Sequence, residues 1–80
     1  MKLIKSQFEQ YAKEQGYTGA EIFNDLNLNV DAYNRYKKEV PIGKATLRTL
    51  CWELGATQVT EFVRFENDER ERYRFILEEF

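Results

Sequence analysis

The sequence contains no histidine, a single cysteine and a single proline. Zinc sites built from cysteine and histidine, catalytic triads and Cys–His nucleophile pairs are therefore excluded. Cys51 alone cannot form an internal disulfide, which is typical of a protein in a reducing compartment. No apolar run approaches the roughly 18 residues of a membrane span, and the N-terminus lacks a signal-peptide pattern. We expect a soluble cytoplasmic protein with no cofactor, no metal site and no membrane association.

The residues that are present fit one small folded domain of 80 residues. Hydrophobic residues make up 42% of the chain and aromatic residues 15%, which is enough apolar surface for a core. The formal net charge is −2. The acidic pairs Asp68-Glu69 and Glu78-Glu79 have no basic or metal-binding neighbours at the spacing of a site. We therefore expect no enzymatic activity.

Apolar residues recur at helical spacing in five segments, which predicts an all-α bundle of five or six short helices. The predicted helices cover about residues 6–15, 18–27, 29–40, 44–54 and 57–64. Thr18 and Glu21 have the spacing of a capping box, and Asn29 is a favoured cap for the third helix. The C-terminal segment fits a helix by its spacing and a hairpin strand by its alternation, and we predict a helix.

The apolar faces of these helices are expected to form one core. Its predicted members are Phe8, Ile22, Phe23, Leu26, Leu47, Leu50, Leu54 and Phe62. Tyr33, Tyr36 and Cys51 are also assigned to it. Trp52 lies one step past this face and must pack on something, either the C-terminal segment or a partner chain. The residues predicted for such an interface are Trp52, Tyr73, Phe75, Ile76, Leu77 and Phe80.

Four short stretches between residues 16 and 55 follow one another in a distinctive order and spacing. They are Gly16-Tyr17-Thr18 with Ile22 and Leu26, Leu28-Asn29 with Tyr33 and Tyr36, Pro41-Ile42-Gly43, and residues 46–55, which close on Leu54-Gly55. From about Phe8 to Val63 the chain thereby resembles the lambda-repressor-like (Cro/Xre-type) helix-turn-helix family. The resemblance implies a helix-turn-helix domain over residues 1–65 and a C-terminal packing or dimerisation segment over residues 66–80.

The chain departs from the family pattern at three places. Phe23 replaces a small alanine in the second helix, which predicts that the second and third helices are splayed. Gly19 stands where the family often has a glutamine that contacts a phosphate. Lys38 and Glu39 stand where a glycine is usual near the end of the third helix.

The resemblance implies a small transcriptional regulator whose third helix, about residues 29–39, enters the major groove of double-stranded DNA. The candidates for base-edge contacts are Asn29, Val30, Ala32 and Asn34, and those for phosphate contacts are Arg35, Lys37, Lys38, Lys44 and Arg48. Residues 29–50 carry a net charge of +3, which favours phosphate binding, whereas residues 61–80 carry −3. Asn29 as a simple cap, and the cations as a plain solvated face, stay open as alternatives.

Two further expectations concern partners. A homodimer formed through the C-terminal segment would supply the second operator half-site that a single helix-turn-helix needs. The alternative function is a protein-interaction module, such as an antirepressor or inhibitor from a mobile element. In that case the acidic C-terminal third would meet a basic surface on a protein target.

Overall fold

The computed structural model describes residues 1–26 and 28–79, and helices dominate them, so the predicted all-α bundle is confirmed. The elements in chain order are β1 (Lys2–Leu3), α1 (Lys5–Glu14), α2 (Gly19–Asp25), α3 (Val30–Lys38), α4 (Lys44–Leu54), α5 (Ala56–Phe62), β2 (Val63–Arg64), α6 (Glu69–Arg72) and α7 (Arg74–Glu79). The described residues contain seven helices rather than five or six. The reason is that the C-terminal segment folds as two short helices on either side of Tyr73.

The start of α2 is fixed by local hydrogen bonds, as its sequence predicts. Thr18 Oγ1 accepts the backbone N–H of Glu21 at 3.1 Å, and Glu21 Oε1 accepts the backbone N–H of Thr18 at 3.1 Å. Together they satisfy two of the N–H groups that a helix start leaves unpaired. Just before this box, Gly16 has a φ of 83°, which lets the chain turn sharply after α1.

A two-stranded antiparallel sheet joins the two ends of the domain, and it was not predicted. Lys2 pairs with Arg64, and Leu3 pairs with Val63. The fifth helix was expected to run to about Arg64, but it ends at Phe62 because the next two residues form β2. Strands of two residues are too short to show an alternating pattern, so the sequence carries no signal for them.

The core is centred on Phe8, which is fully buried between three aromatic rings. The rings of Phe23, Tyr36 and Phe62 meet it edge-on, with centroids 5.1 to 5.4 Å away. Such edge-to-face contacts add to the gain from burial. Six of the eight predicted core residues are buried, while Leu26 and Leu54 are half-buried and pack against the core. Cys51 and Tyr36 are buried as expected.

The C-terminal segment packs onto the body of the same chain. Ile76 is fully buried, and Tyr73 and Leu77 are half-buried against the core. An ion pair of 2.7 Å between the α-amino group of Met1 and Glu69 Oε2 ties α6 to the start of the chain. The hydrogen bond from that amino group lowers the pKa of Glu69. The segment therefore belongs to the folded unit.

Trp52 is exposed, and the prediction that it packs beneath the C-terminal segment is wrong. Its side chain is 70% exposed, and that of Phe75 is 53% exposed. The buried residues of α4 are Leu47, Leu50 and Cys51. Because successive helical residues are turned by about 100°, Trp52 lies on the opposite side of the helix from this face. Phe80, which is also predicted to take part in this contact, lies outside the described residues.

Candidate nucleic-acid interface

The third helix is held by caps at both ends. Asn29 Oδ1 accepts the backbone N–H of Ala32 at 2.8 Å, so its role as an N-cap is confirmed. At the other end Glu39 has a φ of 54°, and the N–H of Val40 donates to the carbonyl of Arg35 at 3.0 Å. This left-handed turn is the conformation that glycine adopts most easily. Glu39 thus adopts this turn although it is not a glycine.

The base-edge candidates divide between the surface and the core. Val30 is 74% exposed, and Asn34 is also exposed. Ala32 is only 3% exposed, which corrects its assignment as a base-edge residue because its methyl group lies in the core. Asn29 is exposed, but its side-chain oxygen Oδ1 already accepts the backbone N–H of Ala32. Val30 and Asn34 therefore remain as outward-facing candidates.

The predicted phosphate-contacting residues differ in whether their side chains already form an ion pair with a carboxylate. Arg35 Nε lies 2.8 Å from Asp31 Oδ2, and an Nη of Arg48 lies 3.9 Å from a carboxylate oxygen of Glu79. Among residues 1–26 and 28–79, no ion pair involves the exposed side chains of Lys38 or Lys44, or that of Lys37. A phosphate group of DNA must displace a carboxylate before it can interact fully with either arginine. The lysines can bind a phosphate without such a displacement.

A groove of about 490 Å³ lies beside α3, between α1 and the start of α2. Its lysines are Lys5, Lys13 and Lys37. Lys37 Nζ stands 5.4 Å from the centre of the Tyr33 ring, a cation–π contact that holds its charge at the groove. Lys5 and Lys13 are not among the predicted site residues, because the spacing of α1 indicates its apolar face and nothing about a groove.

The floor of this groove is closely packed around Tyr36. The Tyr36 hydroxyl donates to Glu9 Oε1 at 3.1 Å. Burial, together with this hydrogen bond to a carboxylate, raises the pKa of Tyr36 above its usual value. A Cβ atom added to Gly19 would lie 2.4 Å from the hydroxyl oxygen. A side chain at position 19 would therefore force the Tyr36 hydroxyl to shift, and glycine avoids this contact.

Two smaller grooves complete the surroundings of α3. One of about 290 Å³ continues from the first along the same side, since both are lined by Ala20 and Tyr33, and it reaches Val30. Another of about 330 Å³, lined by Asp31 and Arg35, lies on the opposite side of the helix. The exposed face of α3 is thus bordered by a groove on each side.

The predicted interface residues do not all lie at the surface. Ile76 is fully buried, which corrects its assignment to an intermolecular contact. Tyr73 and Leu77 pack against the core of their own chain. Trp52 and Phe75 remain exposed.

Comparison with protein-family models, curated proteins and solved structures found no match for this chain. In the part of the chain that the structure describes, no helix is long and apolar enough to cross a membrane. No cluster of three or more potential metal ligands occurs among the same residues.

Proposed function

We infer that this protein is a small DNA-binding regulator of transcription of the Cro/Xre type, which inserts α3 into the major groove. The observation that carries this proposal is the outer face of α3, where the exposed amide of Asn34 lies between exposed Val30 and Lys38. A major groove about 12 Å wide admits such a helix. Asn can bond an adenine edge with both atoms of its amide, and a Val methyl suits the methyl group of thymine.

Lysine contacts to phosphates would fix the position of α3 on the duplex, and the base contacts would select the sequence. Lys37 and Lys38 suit the first role because no ion pair holds either of them within residues 1–26 and 28–79. Regulation would then follow from occupancy of an operator. A homodimer would place two third helices about 34–36 Å apart, on successive half-sites. Exposed Trp52 and Phe75 are the remaining candidates for its interface.

The test compares phosphate with base contacts. Lys37→Gln and Lys38→Gln should each weaken binding equally across sequences and lower the slope of log K against log salt by about 1. Asn34→Ala should instead weaken binding to the preferred sequence alone, by about 1–3 kcal/mol. Arg70→Gln is the matched control, since it removes the same charge from α6. Sequence-specific binding with an unchanged salt slope in the double lysine variant would refute docking through α3.

A second candidate function, a protein-interaction module, has its own support. Asp31 and Glu79 already engage two of the five predicted phosphate contacts, Arg35 and Arg48. Exposed aromatic side chains such as Trp52 are enriched at protein interfaces. An antirepressor or inhibitor from a mobile element would use such a surface. Absence of DNA binding at low salt would favour this function over the first.

A further inference from the structure

We propose that the groove between α1 and the α2–α3 pair is a second phosphate-binding surface, which receives the DNA backbone beside α3. This inference rests on the proposed function and extends it to α1, a helix to which no DNA contact has been assigned. The residues that would bind are Lys5 and Lys13 of α1, opposite Lys37 of α3.

The α1 side of the groove carries a regular stripe of charge. Lys5, Glu9 and Lys13 are spaced by four residues, which places all three on one side of the helix, and all three line the groove. At 1.5 Å per residue, the Cα atoms of the two lysines are about 12 Å apart along the helix axis. The two lysines can therefore contact more than one phosphate group of the same DNA strand.

The charges of the groove favour an anion. Among residues 1–26 and 28–79, none of the three lysines takes part in an ion pair, whereas Arg35, Arg48, Arg72 and Arg74 are all held by carboxylates. Glu9 is the one acid that lines the groove within the described residues, and its Oε1 accepts the Tyr36 hydroxyl. Three lysines against one carboxylate leave the groove positive.

The position of the groove points to duplex DNA as the source of the phosphates. A helix in the major groove has a sugar–phosphate strand along each flank. The groove lies on the flank of α3 that carries Tyr33 and Lys37, and it continues through Tyr33 towards Val30. A strand that borders the major groove around α3 would thus pass over the α1 lysines.

The experiment uses the full chain and a mixed-sequence duplex of about 20 base pairs, two helical turns long. Its affinity is measured by fluorescence anisotropy between roughly 50 and 200 mM salt. The Lys5→Gln, Lys13→Gln double variant should lower the salt slope by about 1.8, since each phosphate contact contributes about 0.9. Arg70→Gln removes a charge outside the groove and should leave the slope unchanged. Glu9→Gln should strengthen binding, because it removes the groove's opposing charge.

Lys13 is exposed, whereas Lys5 is half-buried, so Lys13→Gln alone tests the proposal if the double variant is unstable. It should lower the slope by about 0.9. If the wild-type protein binds DNA and the lysine variants match Arg70→Gln, this inference is overturned while the proposed function stands. If the wild-type protein does not bind DNA even at low salt, both are overturned together.

Discussion

Replacement of Gly19 by alanine should destabilise the domain, although alanine is normally the better helix former. The added Cβ would lie 2.4 Å from the Tyr36 hydroxyl oxygen, whereas ordinary contacts begin at about 3.4 Å. The hydroxyl must therefore retreat by about 1 Å. It cannot do so freely, because the Tyr36 ring stacks on Phe23 at 4.7 Å and meets Phe8 edge-on at 5.1 Å.

The net cost follows from three opposing effects. Overpacking a filled site costs about 1–3 kcal/mol. Loss of the hydrogen bond from Tyr36 to Glu9 adds about 0.5–1.5 kcal/mol. Alanine in place of glycine in a helix returns about 0.5–1 kcal/mol. We expect Gly19→Ala to lower the free energy of unfolding by about 0.5–4 kcal/mol, with a fall in Tm of about 4–8 °C for each kcal/mol.

A double-mutant cycle with Tyr36→Phe isolates the contact. Without the hydroxyl, the nearest remaining Tyr36 ring atom is Cζ, at 3.3 Å from the new Cβ. Gly19→Ala should then cost much less in the Tyr36→Phe background, which gives a coupling of about 0.5 kcal/mol or more. Urea unfolding followed by far-UV circular dichroism measures all four proteins. Equal costs of Gly19→Ala in both backgrounds would refute the close approach of α2 to Tyr36.

Two other predictions concern α3 and α4. Glu39→Gly should raise stability by about 0.5–1 kcal/mol, because glycine adopts the left-handed conformation at this position without steric cost; a lower Tm in thermal unfolding would contradict the assignment of that turn. Leu50→Ala should lower the free energy of unfolding by about 2–5 kcal/mol, since Leu50 is fully buried. A loss below about 1 kcal/mol in urea unfolding would mean that a different face of α4 is buried.

Features that depend on neighbouring residues could be predicted from the sequence. The starts of α2 and α3 follow from Thr18 and Asn29, whose side chains bond within three residues. The buried face of α4 follows from its apolar spacing, because one turn of helix fixes which residues share a side. These signals are sufficient for the all-α fold and for the order of its first five helices.

Features that depend on distant contacts could not be predicted in this way. The side of the domain on which α7 packs is one such feature: α7 buries Ile76 in the core and leaves Trp52 exposed. The groove beside α3 exists only because α1 brings Lys5 and Lys13 next to Lys37 in the folded chain. No local pattern indicates such a pairing, since the two helices are separated by all of α2.

Binding of the unmodified protein to a mixed pool of genomic duplex DNA tests the proposed function most directly. The titration is run at roughly 50 mM salt, where electrostatic attraction is strongest, and repeated at roughly 200 mM. We predict binding at the lower salt that weakens steeply at the higher, as expected when several lysines replace counterions on the phosphates. No detectable binding at the lower salt would contradict a DNA-binding function for this domain.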